Sequence, residues 1–590
     1  MISGSEVTPG SSEQAQEVKY RCPGSTIKKA RKTLKRCHGD VDKAVFHLKS
    51  QPEATRPCAQ DAETENQQDE DPSSYLQLPT LSQPTPLPHG HGSGFSLHDV
   101  IGAIQSGHSL DWVYQYLAFR HKIDSQKLSS SLNSNVQGFP AIFYVVAANN
   151  VELIRCWVRY GGNLNATHEA SGLPLIAFAI LRACRLRSQS TKILRELLSL
   201  GADPKVIPTA FYQPFLRELP KSGPTEADLD DIQEDNKLWC KPGFRQLLSA
   251  ALSILQRYLL DRASRAKPNS GRKRVLVNRK NAEALLGLNL LIIGQEMAAE
   301  SLKSTLLYHL GMPSREPMVL LFAGPSGHGK TELARKLGDL MSLELHTVDC
   351  TMVTKELELF GPKPPFSDYA AGTPLNNFLS RKSGATSVVF LDEFEKTSDD
   401  VRNALLIPFD QGEYMDRRNW SEVNCLQTIW ILATNAFDRE IHEFCELNKD
   451  LLENGADLQR SPAFKKLVAR LWKECISYFG APLSGRINEI VPFLRFTSDE
   501  SAVVADKGIM VMEEEFARPV KGDRLIGNVC LDLPRGSTVC SNIANKHYMP
   551  VLGARSIFSG IDRVIARPTA NMYLEDRDDF AENQPENKIS

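Results

Sequence analysis

The sequence predicts an α/β fold built on buried parallel strands, with a helical N-terminal half. Two observations carry the α/β part. Short runs of continuous apolar residues, PMVLLFA at 317–323, SVVFLD at 387–392 and TIWILAT at 428–434, read as strands covered on both faces. The first of them runs directly into a Gly-rich loop and the start of an amphipathic helix, the alternation that builds parallel sheets. A third observation concerns the N-terminal half, where from Ser96 onward apolar residues recur at helical spacing instead.

Composition removes several function classes. At a prior of about 150 residues per domain, 590 residues imply three or four folded units. With 69 Lys+Arg against 71 Asp+Glu the net charge is −2, which disfavours a globally basic nucleic-acid binder. No apolar run approaches the roughly 18 residues needed to span a bilayer, so no membrane role is expected. The opening MISGSEVTPGSSEQAQ lacks the apolar core of a secretory signal and the Arg-rich, acid-free face of a mitochondrial presequence, so a cytoplasmic or nuclear location is expected. Twelve cysteines without a Cys-x-x-Cys pair fit reduced thiols rather than a disulfide framework or a zinc site.

Along the chain, residues 16–50 read as a small helical hairpin around Gly39-Asp40. Its Gly-Asp-Val-x-x-Ala-Val-x-x-Leu pattern is similar to the last two helices of ubiquitin-associated domains, which implies ubiquitin or a ubiquitinated protein as a partner. A plain hairpin or a basic amphipathic arm is the other reading. Residues 51–95, rich in Pro and acid, cannot offset the entropy of ordering and read as a disordered linker. Within 96–210, segments opening at Gly138 and Gly172 overlay with starts 34 apart and close on Gly-Gly-Asn-Leu-Asn and Gly-Ala-Asp-Pro. Both resemble ankyrin repeats, with 98–134 as a third, weaker copy, and such repeats need neighbours to cover their apolar faces. A helix over Phe244–Ala263 is the expected cover; an unrelated helical bundle is the alternative. Residues 211–280 form a helical connector ending in a basic stretch, 262–280, with eight Lys/Arg and no acid, read as a solvated linker.

The chemistry begins at 324. Gly324-Pro325-Ser326-Gly327-His328-Gly329-Lys330-Thr331 satisfies G-x-x-x-x-G-K-[ST] between a strand and a helix, the setting in which glycines let backbone N–H groups curl around phosphate oxygens. Lys330 is expected to reach the β and γ phosphates of ATP, and the Thr331 hydroxyl to hold Mg²⁺. Asp392-Glu393 ends the second apolar strand; Asp392 is expected at the Mg²⁺ ion and Glu393 as the group that polarises the attacking water. Asn435, after the third strand, has the position to orient the same water, although an Asn after a strand is also ordinary turn chemistry.

The ordered set GPSGHGKTELARKL, VVFLDEFEK, LLIPFDQGEYMD and ILATN resembles the second ATPase module of ClpB-type AAA+ unfoldases over roughly 285–570. The resemblance implies an AAA+ P-loop αβα sandwich over 281–492, a small C-terminal domain over 493–575 and a tail over 576–590. It implies an ATPase, and a homo-hexamer with ATP at the subunit interfaces. It also assigns Ile293, within Ile292-Ile293-Gly294-Gln295, to the adenine, Arg486 to an arginine finger acting on the next subunit, and Arg555 to a second sensor. Phe366 falls where the family's substrate-gripping pore-loop aromatic sits, flanked by Pro365 and Asp368 where the family has glycines. An ankyrin array ahead of a single module resembles ankyrin-bearing ClpB-type proteins of animal mitochondria and fungi. A peptidase ring is not expected, because no docking tripeptide lies between Asn435 and Arg486. The expected function is an ATP-dependent protein unfoldase or disaggregase acting on misfolded or aggregated client proteins. The alternative is a nucleotide-switched ankyrin interaction protein that remodels partners without threading them, and nucleic-acid remodelling rests on 262–280 alone.

Overall fold

The computed structural model describes residues 72–81, 95–185, 190–312, 316–341, 343–363, 370–453, 461–518, 526–527, 529–531, 533, 535–575 and 587–589. The hairpin expected at 16–50, Phe366 and most of the tail lie outside them.

The helical half is built from stacked pairs. Helices α1 (Leu97–Gln105) and α2 (Leu110–Ile123), α3 (Ala141–Ala147) and α4 (Val151–Arg159), and α5 (Leu175–Arg185) and α6 (Ser190–Leu200) form three successive helix–turn–helix units. A fourth follows, α7 (Pro242–Ala251) and α8 (Ile254–Arg265). First helices touch first helices and second helices touch second, so each pair covers the apolar face its neighbour cannot. Three expectations are corrected here. The helix expected over Phe244–Ala263 is broken after Ala251, because Ser253 makes a capping box with Gln256 and starts α8 afresh. Residues 72–81 are not part of a disordered linker: Leu76 and Leu81 are buried in the helical core, Leu81 N–H donates to Gln105 Oε1 at 2.9 Å, and Arg182 donates to Leu76 O at 2.9 Å. The basic stretch 262–280 is not simply solvated either. It contains the helix Gly271–Arg279, whose Val277 is buried, and Arg262 belongs to α8.

Five parallel strands form the central sheet: β1 (Met318–Ala323), β2 (Leu345–Asp349), β3 (Ser387–Asp392), β4 (Thr428–Thr434) and β5 (Glu489–Pro492), in the order β2-β3-β4-β1-β5. The two-residue period of a strand splits the apolar runs between two cores. Leu320, Phe322, Phe390 and Ile431 face helix α9 (Lys330–Met341), while Leu321, Leu391 and Leu432 face helices α10 (Asp399–Asp410) and α11 (Pro462–Phe479). The result is the αβα sandwich. Its register pairs Ala323 with Thr434 and Leu391 with Leu432, so the Gly-rich loop, Asp392 and Asn435 all emerge at one edge of the sheet. In open parallel sheets the carboxyl ends of the strands are where ligands bind.

After β5 the chain forms helices α12 (Ser498–Ala517), α13 (Gly536–His547) and α14 (Ala554–Ile561), which pack on one another. Within the C-terminal domain Val529–Leu531 forms a short strand, paired in parallel with Asn587–Ile589. Helix α8 packs against both α6 and α12, so the helical half and the C-terminal domain share a neighbour.

Candidate nucleotide site

The loop between β1 and α9 turns only because of its glycines. Gly324, Gly327 and Gly329 have φ of 149°, 73° and 97°, the region L side chains rarely adopt. A Cβ on Gly324 would lie 2.5 Å from Phe493 O, and one on Gly327 2.1 Å from Leu552 O, so space as well as conformation demands glycine. Lys330 opens α9. The residue is only 7% exposed, and its ammonium donates to Gly324 O, to Pro325 O at 3.1 Å and to Asn435 Oδ1 at 2.8 Å. Burial pushes its pKa down to about 8, against the pull of Asp438, Glu395, Asp392 and Glu393. Among the described residues no carboxylate forms an ion pair with it. A buried cation whose hydrogen-bond acceptors are all neutral, beside the N-terminus of a 12-residue helix, is an arrangement that favours an anion.

The facing strand ends carry oxygen ligands. Thr331 Oγ1 donates to Asp392 Oδ2 at 3.1 Å. A hydroxyl and a carboxylate this close suit Mg²⁺, which takes one or two protein oxygens and completes its shell with water and phosphate. Glu393 sits in the left-handed region at φ 53°, with its N–H donating to Asp392 Oδ1 at 3.1 Å, so the chain turns sharply there. Asn435 bridges the site, its Oδ1 accepting from Lys330 and its Nδ2 donating to Glu395 Oε1 at 3.0 Å. Both partners are satisfied by one amide orientation only. Glu395 is absent from the sequence reading; its signal there is the third acid of Asp392-Glu393-Phe394-Glu395.

The C-terminal domain closes onto the loop. Arg555 donates to Ser326 Oγ at 3.1 Å, and Ala554 N–H to Gly327 O at 3.0 Å. His328 is fully buried and stacks on Phe496 at 4.8 Å. Its Nδ1 is 2.9 Å from Ser326 O, which can only accept, so Nδ1 carries the proton and Nε2 accepts from Tyr548 OH at 3.2 Å. The Tyr548 oxygen in turn accepts from Phe496 N–H at 3.1 Å. Burial, with Lys330 adding repulsion, lowers the His328 pKa from 6.5 to about 4. Between those values the unfolded chain binds a proton that the folded chain refuses. The contribution of His328 to stability is therefore complete above pH 6.5 and is lost as pH falls toward 4. Urea unfolding is expected to show the native protein losing roughly 3 kcal/mol more than His328→Gln over that window. Parallel pH profiles would contradict the assignment.

Ile292 and Ile293 are buried, and Ile292 Cγ2 lies 3.1 Å from where a Gly329 Cβ would stand, so the segment expected to contact adenine abuts the phosphate loop. Gln295 fixes that segment to Leu494, donating to its carbonyl at 2.7 Å and accepting from its N–H at 2.9 Å. Arg486 is held elsewhere. It donates to Leu406 O at 3.1 Å, to Pro482 O at 2.6 Å and to Asp410 Oδ2 at 3.1 Å, at the end of α10, and none of these bonds reaches the loop of its own chain.

A Gly-rich loop between β1 and α9, paired acids at the tip of β3 and an αβα sandwich followed by a small helical domain define a P-loop domain of the AAA+ class. Comparison with known proteins agrees: residues 315–490 match the family described as AAA domain (Cdc48 subfamily). The chain is 31% identical to the chaperone protein ClpB of Chlamydia muridarum over 220 residues, 35% of this chain and 24% of that protein. It is 25% identical to the mitochondrial disaggregase of Bos taurus over 500 residues, 74% of this chain and 70% of that protein. With the human mitochondrial disaggregase it shares 27% identity over 314 residues, 48% of this chain and 42% of that protein. The chain spans about a quarter of the length of the ClpB relatives it matches. It is a homologue of the ClpB chaperones and the mitochondrial disaggregases, and carries their AAA+ domain.

Proposed function

We propose that this protein is an ATP-dependent protein unfoldase or disaggregase that hydrolyses ATP at the interfaces of a homo-hexamer and pulls misfolded or aggregated client proteins through the ring. The observation that carries the ATP reading is the buried Lys330 ammonium, with only neutral acceptors, at the end of a loop that glycine alone can form. The names of the relatives, a chaperone and a disaggregase, support the client class. In this reading Gly324 to Gly329 wrap the phosphates, Lys330 neutralises them, and Thr331 and Asp392 hold Mg²⁺, which supplies charge neutralisation when bound. Glu393 takes the proton of the attacking water, Asn435 orients it, and Arg555 reads the γ-phosphate from the C-terminal domain. Arg486 serves the neighbouring subunit. The stacked helix pairs, read as an ankyrin-like array, select the client.

Phe366 is the gripping residue of this account, since an aromatic at the tip of an axial loop holds any extended chain through its apolar face. Phe366→Ala is expected to keep its ATPase and lose ATP-driven unfolding of a fluorescent client; unimpaired unfolding would remove the gripping role. The switch reading draws on Pro365 and Asp368, which flank Phe366 where the resemblance has glycines, and on the lack of a long heptad insert like the family's coiled-coil middle domain. It is separated from threading by whether an unfolded model substrate stimulates phosphate release.

A further inference from the structure

We propose that Tyr258, on a helix that ends before the matched AAA+ domain begins, is a positioning residue for the nucleotide: its hydroxyl holds the backbone of the adenine segment, and through it the helical half sets how tightly adenine nucleotides are held. The inference rests on the nucleotide reading of the Gly-rich loop.

The Tyr258 hydroxyl accepts the N–H of Gly294 at 3.0 Å and the Nε–H of Arg262 at 2.9 Å, which fills both lone pairs. Gly294 is not a free hinge. Its φ is 70°, and a Cβ there would stand 2.8 Å from both Glu500 Oε2 and Phe496 Cδ1. The hydroxyl therefore grips the segment where it is most constrained, next to Ile293. The tyrosine is itself fixed, 4% exposed, with its ring edge against Phe215 at 5.3 Å and the Arg262 guanidinium 5.1 Å above its face.

The same helix is bonded to the C-terminal domain. Leu255 N–H donates to Asp506 Oδ2 at 2.8 Å, Arg257 donates to Ser537 Oγ at 3.1 Å, and Arg262 lies 3.6 Å from Glu500 while also pairing with Glu296. Helix α8 thus meets α12 through its first and last turns, α13 through its first turn and the adenine segment through its middle, over a length of about 18 Å. Its other flank packs on α6 of the stacked pairs. A displacement of the helical half that moves α8 must alter the Tyr258 to Gly294 bond or carry the C-terminal domain with it. By linkage, whatever shifts α8 changes nucleotide affinity, and nucleotide changes it in return.

The test is a titration of the full chain with a fluorescent ADP analogue in Mg²⁺, alongside ATPase kinetics. Tyr258→Phe keeps the ring and removes the hydroxyl, which leaves the Gly294 N–H and the Arg262 Nε–H without this acceptor. It is expected to weaken analogue binding about fivefold and raise KM for ATP by the same factor, with kcat within twofold, the size of effect expected for losing the one bond that reaches the adenine segment. Phe215→Leu disturbs the packing of the same ring without touching the hydroxyl, and is expected to lower Tm and leave affinity as it is. Native affinity in Tyr258→Phe, or an equal loss in Phe215→Leu, would overturn the role of the hydroxyl while leaving the ATPase reading intact. A native chain that binds no analogue would overturn both.

Discussion

Glu393→Gln is expected to bind ATP as the native protein does and to release phosphate at least about 10²-fold more slowly, the contribution of a positioned general base. The substitution keeps the side chain's shape and an acceptor oxygen but removes its basicity. Binding survives because the groups that meet the phosphates are elsewhere: the Gly-rich loop, Lys330 and the Thr331 to Asp392 pair are held by bonds that do not involve the Glu393 side chain. Glu393 itself stands in a left-handed turn directly after the end of β3. Normal turnover, measured by steady-state phosphate release, would take the water-activating role from it.

Arg486→Ala is expected to have the larger effect, about 10³-fold or more on hydrolysis, with nucleotide affinity preserved, by the scale of arginine fingers that act in trans. The guanidinium is docked on Asp410 at 3.1 Å and on two carbonyls near the end of α10, and it makes no bond to its own Gly-rich loop. Its side chain is 26% exposed, so it can exchange the Asp410 carboxylate for a neighbour's phosphate. If instead Arg486 only ties β5 to α10, the variant would lose thermal stability and keep its turnover. Measuring Tm and phosphate release on the same sample distinguishes the two.

The parts of the fold set by local pattern were legible in the sequence. Continuous apolar runs placed β1, β3 and β4, and the spacing of Gly324, Gly329, Lys330 and Thr331 located the loop, because a strand–loop–helix junction is a local object. The junctions made by distant residues were not. Glu395 acquires its place only when register brings β3 beside β4, and the His328, Tyr548 and Phe496 chain is made of bonds between residues 220 and 52 apart in sequence. The break at Ser253 is written in the sequence as a Ser followed three residues later by Gln256, but the apolar spacing continues across it and hides the cap. Leu76 and Leu81 sit in a stretch whose average composition argues for disorder, yet the two buried leucines, the Arg182 bond to Leu76 O and the bonds between Gln105 and the Pro79 and Leu81 backbone dock it. Composition averages over the few residues that do the packing.

The claim on which the account depends is that each ATP is cleaved between two protomers, with Glu393 from one and Arg486 from the other. Mixing the two inactive variants, Glu393→Gln and Arg486→Ala, tests it directly, because an assembly of both contains interfaces where an intact Glu393 faces an intact Arg486. Phosphate release from the mixture is predicted to rise well above either variant alone. A mixture that co-assembles and stays as inactive as its components would contradict the shared cleft.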